Sequence, residues 1–136
     1  MKREEVCVFC RIVAGDIPAS VIYEDERTVA FLDIAPFERG HVLVVPKCHA
    51  EMLTGLPGED AQAAILVTQS VGEALLRQLP CDGFNVLQNN GVCASQTIPH
   101  VHFHVVPRHN GRPLSWTPGR YDSPEDLRAV QAQLKI

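Results

Sequence analysis

Seven residues, His100-Val101-His102-Phe103-His104-Val105-Val106, constrain the fold more than any other stretch of the chain. Alternate residues of a strand share a face. The pattern therefore predicts a strand over 100–106, with three imidazoles on one side and Val101, Phe103 and Val105 in the core. Each imidazole has an unperturbed pKa of about 6.5 and can act near neutrality as nucleophile, proton donor or metal ligand. One reading is three satisfied histidines on a polar strand face. Another is a metal site, because His-x-His neighbours on one face lie about 6.6 Å apart at Cα. The outer pair lies about 13 Å apart, so one ion does not easily take all three. At least one histidine is then free for other chemistry.

The rest of the chain places that strand in a single domain spanning residues 1–136, without repeats, low-complexity tracts or long linkers. Residues 7–14 contain a short helical candidate, ended by Gly15-Asp16-Ile17-Pro18. Residues 20–23 and 28–32 predict two short strands joined by the acidic turn Glu24-Asp25-Glu26. Residues 41–45 are mostly β-branched or apolar and stop at Pro46, as a buried strand does. A helix over 58–79 starts after Pro57, with Glu59 and Asp60 in its first turn. Ala61, Ala64, Ile65, Thr68, Val71, Gly72, Leu75, Leu76 and Leu79 recur at helical spacing as one apolar face. Residues 84–87 predict another strand, followed by the turn Asn89-Asn90-Gly91. Ser123 and Pro124 open a last helix to about Leu134. Mixed strands with one inserted long helix predict an α+β fold rather than a doubly wound sheet.

Composition narrows the function classes. The net charge of −4 argues against a nucleic-acid partner, which needs many Lys and Arg contacts to phosphate. No apolar run approaches the roughly 18–20 residues of a membrane span. The start, Met1-Lys2-Arg3-Glu4-Glu5, turns acidic where a secretion signal turns apolar, so a cytoplasmic location is expected. The five cysteines are an odd number, which makes a disulfide framework a poor reading. Metal ligation, a reactive thiol and plain packing stay open for them.

The histidine strand resembles the signature of the histidine triad (HIT) family, His-φ-His-φ-His-φ-φ with φ apolar. Further segments are similar to HIT segments and stand in the same order. These are Asp16-Ile17-Pro18, Ala30-Phe31-Leu32-Asp33-Ile34, Gly40-His41-Val42-Leu43-Val44-Val45-Pro46-Lys47, and Asn89-Asn90-Gly91 followed by Ser95-Gln96-Thr97. The likeness covers about residues 6–108, and Trp116-Thr117-Pro118-Gly119 resembles the terminus of one HIT branch. It implies an antiparallel sheet of about five strands with a long central helix and a C-terminal helix, assembled as a homodimer. It also implies a hydrolase of nucleoside monophosphate–X substrates, with a purine nucleotide as partner.

Carried over residue by residue, His102 becomes the nucleophile that forms a nucleotidyl-histidine, and His104 stabilises charge on a phosphate oxygen. Gln96, Thr97 and Asn89 contact phosphate or the leaving group; their alternative is a polar loop that satisfies its own backbone. Asp33 binds ribose hydroxyls, or is only a turn former at a strand end. Val8, Phe9, Leu32 and Ile34 wall the base pocket, or are plain core. His rather than Gln at position 104 favours water over a transferase acceptor. Ser95-Gln96-Thr97 with Pro107-Arg108 is most similar to the diadenosine polyphosphate hydrolases, whereas Asp33-Ile34 is more similar to the phosphoramidases. Ser95 stands where many members have Gly, and Pro99 directly precedes the triad.

Cys7-x-x-Cys10 alone is a weak zinc signal. A subset of bacterial-type HIT proteins binds a structural zinc through such a pair, the histidine of Pro-Lys-x-His and the first triad histidine. Here these are Cys7, Cys10, His49 and His100. A Cys2His2 shell is closed, so the implied Zn2+ is structural, and no catalytic cofactor is implied. The alternatives are buried cysteines with a surface histidine, or a redox pair. Cys48, Cys81 and Cys93 read as packing or incidental thiols. His41 is open between a site and a structural role, and His109 carries no assignment. Two other functions remain: a nucleotide-binding adaptor with vestigial turnover, and a metallohydrolase using His100 and His102.

Overall fold

A computed structural model that describes residues 4–136 has five strands and three helices, with three strands between the first two helices and two between the last two. Met1, Lys2 and Arg3 of the charged start lie outside the described residues. Helix α1 is Val8–Val13, capped by the Cys7 thiol, which accepts from the Cys10 amide. Strands β1 (Val21–Glu24), β2 (Thr28–Leu32) and β3 (Val42–Pro46) follow, then helix α2 (Gly58–Gln78). Strand β4 is Gly83–Leu87, β5 is Phe103–Arg108, and helix α3 is Pro124–Leu134. All strand pairs are antiparallel, in the order β1-β2-β3-β5-β4. The α+β class and the five-stranded sheet agree with the sequence reading.

Strands β2 and β3 are buried along their whole length. Their unbroken apolar runs reflect cover on both faces of the sheet. On one face Leu32, Val42, Val44, Phe103 and Val105 pack against Ala64, Val71 and Leu75 of α2 and Val130 and Leu134 of α3. On the other, Val29, Phe31, Leu43 and Val45 pack under Cys7, Phe9 and Cys10. The histidines share this second face, which is a small core closed by α1 rather than a wet polar surface.

The predicted strand over 100–106 is shorter at its start. The ladder with β3 begins at Val44 opposite Phe103. Before it, the His100 amide donates to Ile98 O at 2.8 Å and the Val101 amide to Ala50 O at 2.8 Å. Loop carbonyls have taken the donors that a strand would use. At the other end β5 runs on to Arg108, with Pro107 opposite Phe84 on the β4 side alone. Proline is tolerated there because β3 has already ended and needs no donor.

Helix α2 fits its predicted span to within a residue, but its apolar face is not wholly buried. Ala64, Thr68, Val71, Gly72 and Leu75 are buried, whereas Ile65 and Leu76 are each 49% exposed. Single 3-10 turns at Leu53–Gly55 and Val92–Ala94 have no counterpart in the sequence reading. Helix α3 starts as expected, with Ser123 Oγ accepting from the Asp126 amide at 3.0 Å. Among the described residues no helix is long and apolar enough to cross a membrane.

Candidate active site and metal-ligand cluster

The hydrogen bonds around the histidine face decide which ring nitrogens carry protons. His102 Nδ1 lies 2.7 Å from the carbonyl of His100. A carbonyl only accepts, so Nδ1 holds the proton and Nε2 keeps its lone pair. His102 is buried, with Phe9 edge-on at 5.1 Å. Burial pushes its pKa down, while the His100 carbonyl and the Asp33 carboxylate push the other way. The ring is a neutral base with a nucleophilic nitrogen.

His104 is set by a chain of two contacts. The Phe37 amide donates to His41 Nδ1 at 3.0 Å, so the His41 proton sits on Nε2. That Nε2–H donates to His104 Nδ1 at 2.9 Å. The remaining proton of His104 is then on Nε2. Burial holds His41 down to about 3, with the Arg108 and His102 charges adding to it. Burial likewise holds His104 at about 4, reinforced by His102 and His41 and opposed by Asp33. Both are neutral at pH 7. Asp33, His41 and His104 place donor atoms within 4.8 Å of one another. The Phe37 amide nevertheless leaves His41 with a proton, not a lone pair, on the inward nitrogen. This trio is therefore a hydrogen-bond relay, which settles the role of His41 that the sequence left open.

A cavity of about 590 Å³ opens over these rings and is lined by His102 and His104. Val8, Phe9, Leu32, Ile34, Asp33, Asn89 and Thr97 all border it, so most predicted site residues converge. Asp33 forms the strand-end turn, its Oδ1 accepting from the Ala35 amide at 2.9 Å, and it also borders the cavity. Gln96 is different. Its side chain is spent on the loop, accepting from the Gly91 amide at 2.7 Å and donating to Glu51 O and Ile98 O at 2.6 and 3.0 Å. It is buried and does not border the cavity. Here Gln96 braces the loop that carries Asn89 and Thr97.

Phe37, Ser95 and Trp116 are among the lining residues that lay outside the assigned set. Phe37 stacks on His104 at 5.9 Å between ring centroids. Trp116 sits under the Arg108 guanidinium, 4.6 Å from it, on a segment fastened by the Gly119 amide to Pro36 O at 2.8 Å. The Trp-Thr-Pro-Gly likeness was the available signal for Trp116. Nothing local to Phe37 announced it.

Behind the cavity, Cys7, Cys10, His49 and His100 are all buried and bring one donor each within 4.8 Å. His100 Nε2 donates to Pro46 O at 2.8 Å, which leaves its Nδ1 lone pair facing the group. Cys7 Sγ, Cys10 Sγ and His49 Nδ1 stand 3.3, 3.6 and 3.1 Å from that nitrogen. Two thiols and two imidazole nitrogens aimed at one point are the donor set and number that tetrahedral Zn2+ takes. The His100 ring faces this cluster while its carbonyl holds His102.

Known proteins are similar to this chain in sequence and in fold. A family model described as the HIT domain matches residues 14–111. The chain is 40% identical over 131 residues to an adenosine 5'-monophosphoramidase of Schizosaccharomyces pombe, covering 94% of this chain and 95% of that protein. It is 46% identical over 106 residues to an uncharacterised HIT-like protein of Methanocaldococcus jannaschii, covering 78% of this chain and 81% of the other. The crystal structure of a Zn-bound histidine triad family protein from Mycobacterium smegmatis superposes with a TM-score of 0.84 at 47% identity, over 95% of each chain. With the triad, its supporting carbonyl and the domain match in agreement, the chain belongs to the HIT domain family.

Proposed function

We propose that the protein hydrolyses nucleoside 5'-monophosphate–X substrates at the α-phosphorus through a nucleotidyl-His102 intermediate. One observation carries this reading: His102 Nδ1–H is tied to the His100 carbonyl, which leaves Nε2 as a nucleophile beside the cavity. Attack forms the Nε2–P bond and breaks the P–X bond, and X leaves with the bonding electrons and takes up a proton. The ring becomes cationic, and the His100 carbonyl stabilises its Nδ1–H. His104 donates from Nε2 to a phosphoryl oxygen. Water then cleaves the P–N bond and returns His102 and the 5'-monophosphate. Asp33 takes the ribose, Val8, Phe9, Leu32 and Ile34 take a purine base, and Asn89 and Thr97 face the phosphoryl group. The S. pombe relative, by its name, points to adenosine phosphoramidates as first substrates, with dinucleoside polyphosphates beside them.

The test is rapid quenching with an adenosine 5'-phosphoramidate labelled at phosphorus. Wild-type protein should carry label on one histidine and release the monophosphate. His102→Ala should lose at least about 10³-fold in kcat with no labelled protein. Equal turnover by the two proteins sinks the proposal, and tight binding without turnover leaves the adaptor.

Two structural proposals accompany it. Cys7, Cys10, His49 and His100 hold a structural Zn2+ that fastens α1 to the segment before β5; its support is the converging donor set and the zinc-bound relative. Metal analysis of purified protein should find one zinc per chain, absent in Cys10→Ser. A second copy of the chain covers Ile65, Leu66, Leu76, Phe84 and Val86, which stand exposed on α2 and on the edge strand β4. Sedimentation should give a dimer, and Leu66→Glu should weaken it.

A further inference from the structure

Ser95 is the one non-glycine residue with a positive φ among the described residues, at φ 73 and ψ 22. Such left-handed backbone crowds a Cβ against the following carbonyl, and glycine adopts it without that cost. Strain of this kind persists where surrounding structure or function demands the side chain. The surroundings do not demand it. Ser95 is exposed, and its hydroxyl makes no hydrogen bond to any described residue. The backbone is held without the side chain, by the Ser95 amide donating to Val92 O at 3.0 Å and the Gln96 amide to Gly91 O at 3.1 Å.

Ser95 does border the cavity, on the same loop as Asn89 and Thr97 and together with His102 and His104. Among the described residues, no Lys or Arg lines that cavity. A bound phosphoryl group must therefore be met by neutral side-chain donors: the His104 Nε2–H, the Asn89 carboxamide and the hydroxyls of Ser20, Ser95 and Thr97, of which Ser95 and Thr97 share the loop with Asn89. In so sparse a set each donor counts, because a hydrogen bond to a charged oxygen is stronger than a neutral one. We propose that the Ser95 hydroxyl donates to a phosphoryl oxygen of the bound nucleotide. The strained backbone is the cost of placing a hydroxyl where glycine would fit more easily. This role rests on the nucleotide reading of the cavity.

Calorimetric titration of the full chain with AMP and with adenosine separates the possibilities. Wild type should prefer AMP. Ser95→Gly, which relieves the backbone, and Ser95→Ala, which does not, should both weaken AMP about tenfold and leave adenosine unchanged. Ser95→Gly should also raise the melting temperature. Unchanged AMP affinity in Ser95→Gly overturns the proposal. So does a loss confined to Ser95→Ala, which would trace to loop geometry rather than to the hydroxyl. A wild-type protein that binds AMP no better than adenosine overturns the nucleotide reading, and this role with it.

Discussion

A single backbone amide decides how the third triad histidine is protonated. Phe37 N–H fixes the His41 proton on Nε2, and His41 in turn fixes the His104 proton on Nε2. Replacing His41 with Asn keeps a polar side chain but cannot bridge the two partners in the same way. His104 is then free to populate both tautomers. His41→Asn should lower kcat about tenfold with little change in KM, and nitrogen-15 shifts should show mixed tautomers at His104. A single tautomer in the variant would remove His41 from this role. Much at this scale was legible. His102, the cavity wall and the four clustered donors were all found from the triad and its associated motifs. Gln96 was not, because a carboxamide can face a ligand or its own loop, and only the carbonyls of Glu51 and Ile98 decide which. Nor was the role of His41, which depends on an amide four residues away.

Helix and strand identities followed from periodicity, while their edges and exposures depended on neighbours. The first two triad histidines precede β5 because loop carbonyls claim the amides of His100 and Val101. Ile65 and Leu76 repeat with the core positions of α2 yet stand half exposed. Periodicity marks a face as apolar without saying whether the chain itself or a second copy covers it. The seam between α2 and β4 gives a prediction whose sign depends on packing. In an ordinary helix interior Gly→Ala gains about 1 kcal/mol. At Gly72 the new Cβ would lie 2.4 Å from Phe84 Cζ and 2.8 Å from Cε2. Overpacking costs about 1–3 kcal/mol, so Gly72→Ala should lose stability on balance. In a Phe84→Ala background the same change should instead stabilise. Urea unfolding of the four proteins at one concentration measures the reversal, and stabilisation by Gly72→Ala in both backgrounds would show that the ring yields freely.

For the whole molecule, the surprise of the histidine face is that it is interior. The alternating pattern predicted one apolar and one polar face, but α2 and α3 cover one side of the central strands and α1 roofs the other. Three imidazoles read from sequence as titratable near neutrality are instead all pushed down by burial, His100 and His104 to about 4, and that has a cost in stability. His104 titrates near 6.5 when unfolded and at about 4 when folded. Its folded pKa is depressed, so below 6.5 the unfolded chain binds the proton first. The stabilisation from keeping it neutral is whole above pH 6.5 and drains away as pH falls toward 4. At pH 5 the loss from this one group is about 2 kcal/mol. His41, held at about 3, pulls in the same direction, but the two share a hydrogen bond and their contributions do not simply add. Urea midpoints measured at pH 7.5 and pH 5 should therefore drop on acidification. Unfolding of His104→Gln, which has no imidazole to protonate, should show a drop smaller by about that amount. An equal drop in both proteins would place the acid sensitivity elsewhere and mean that His104 is not held neutral by its burial.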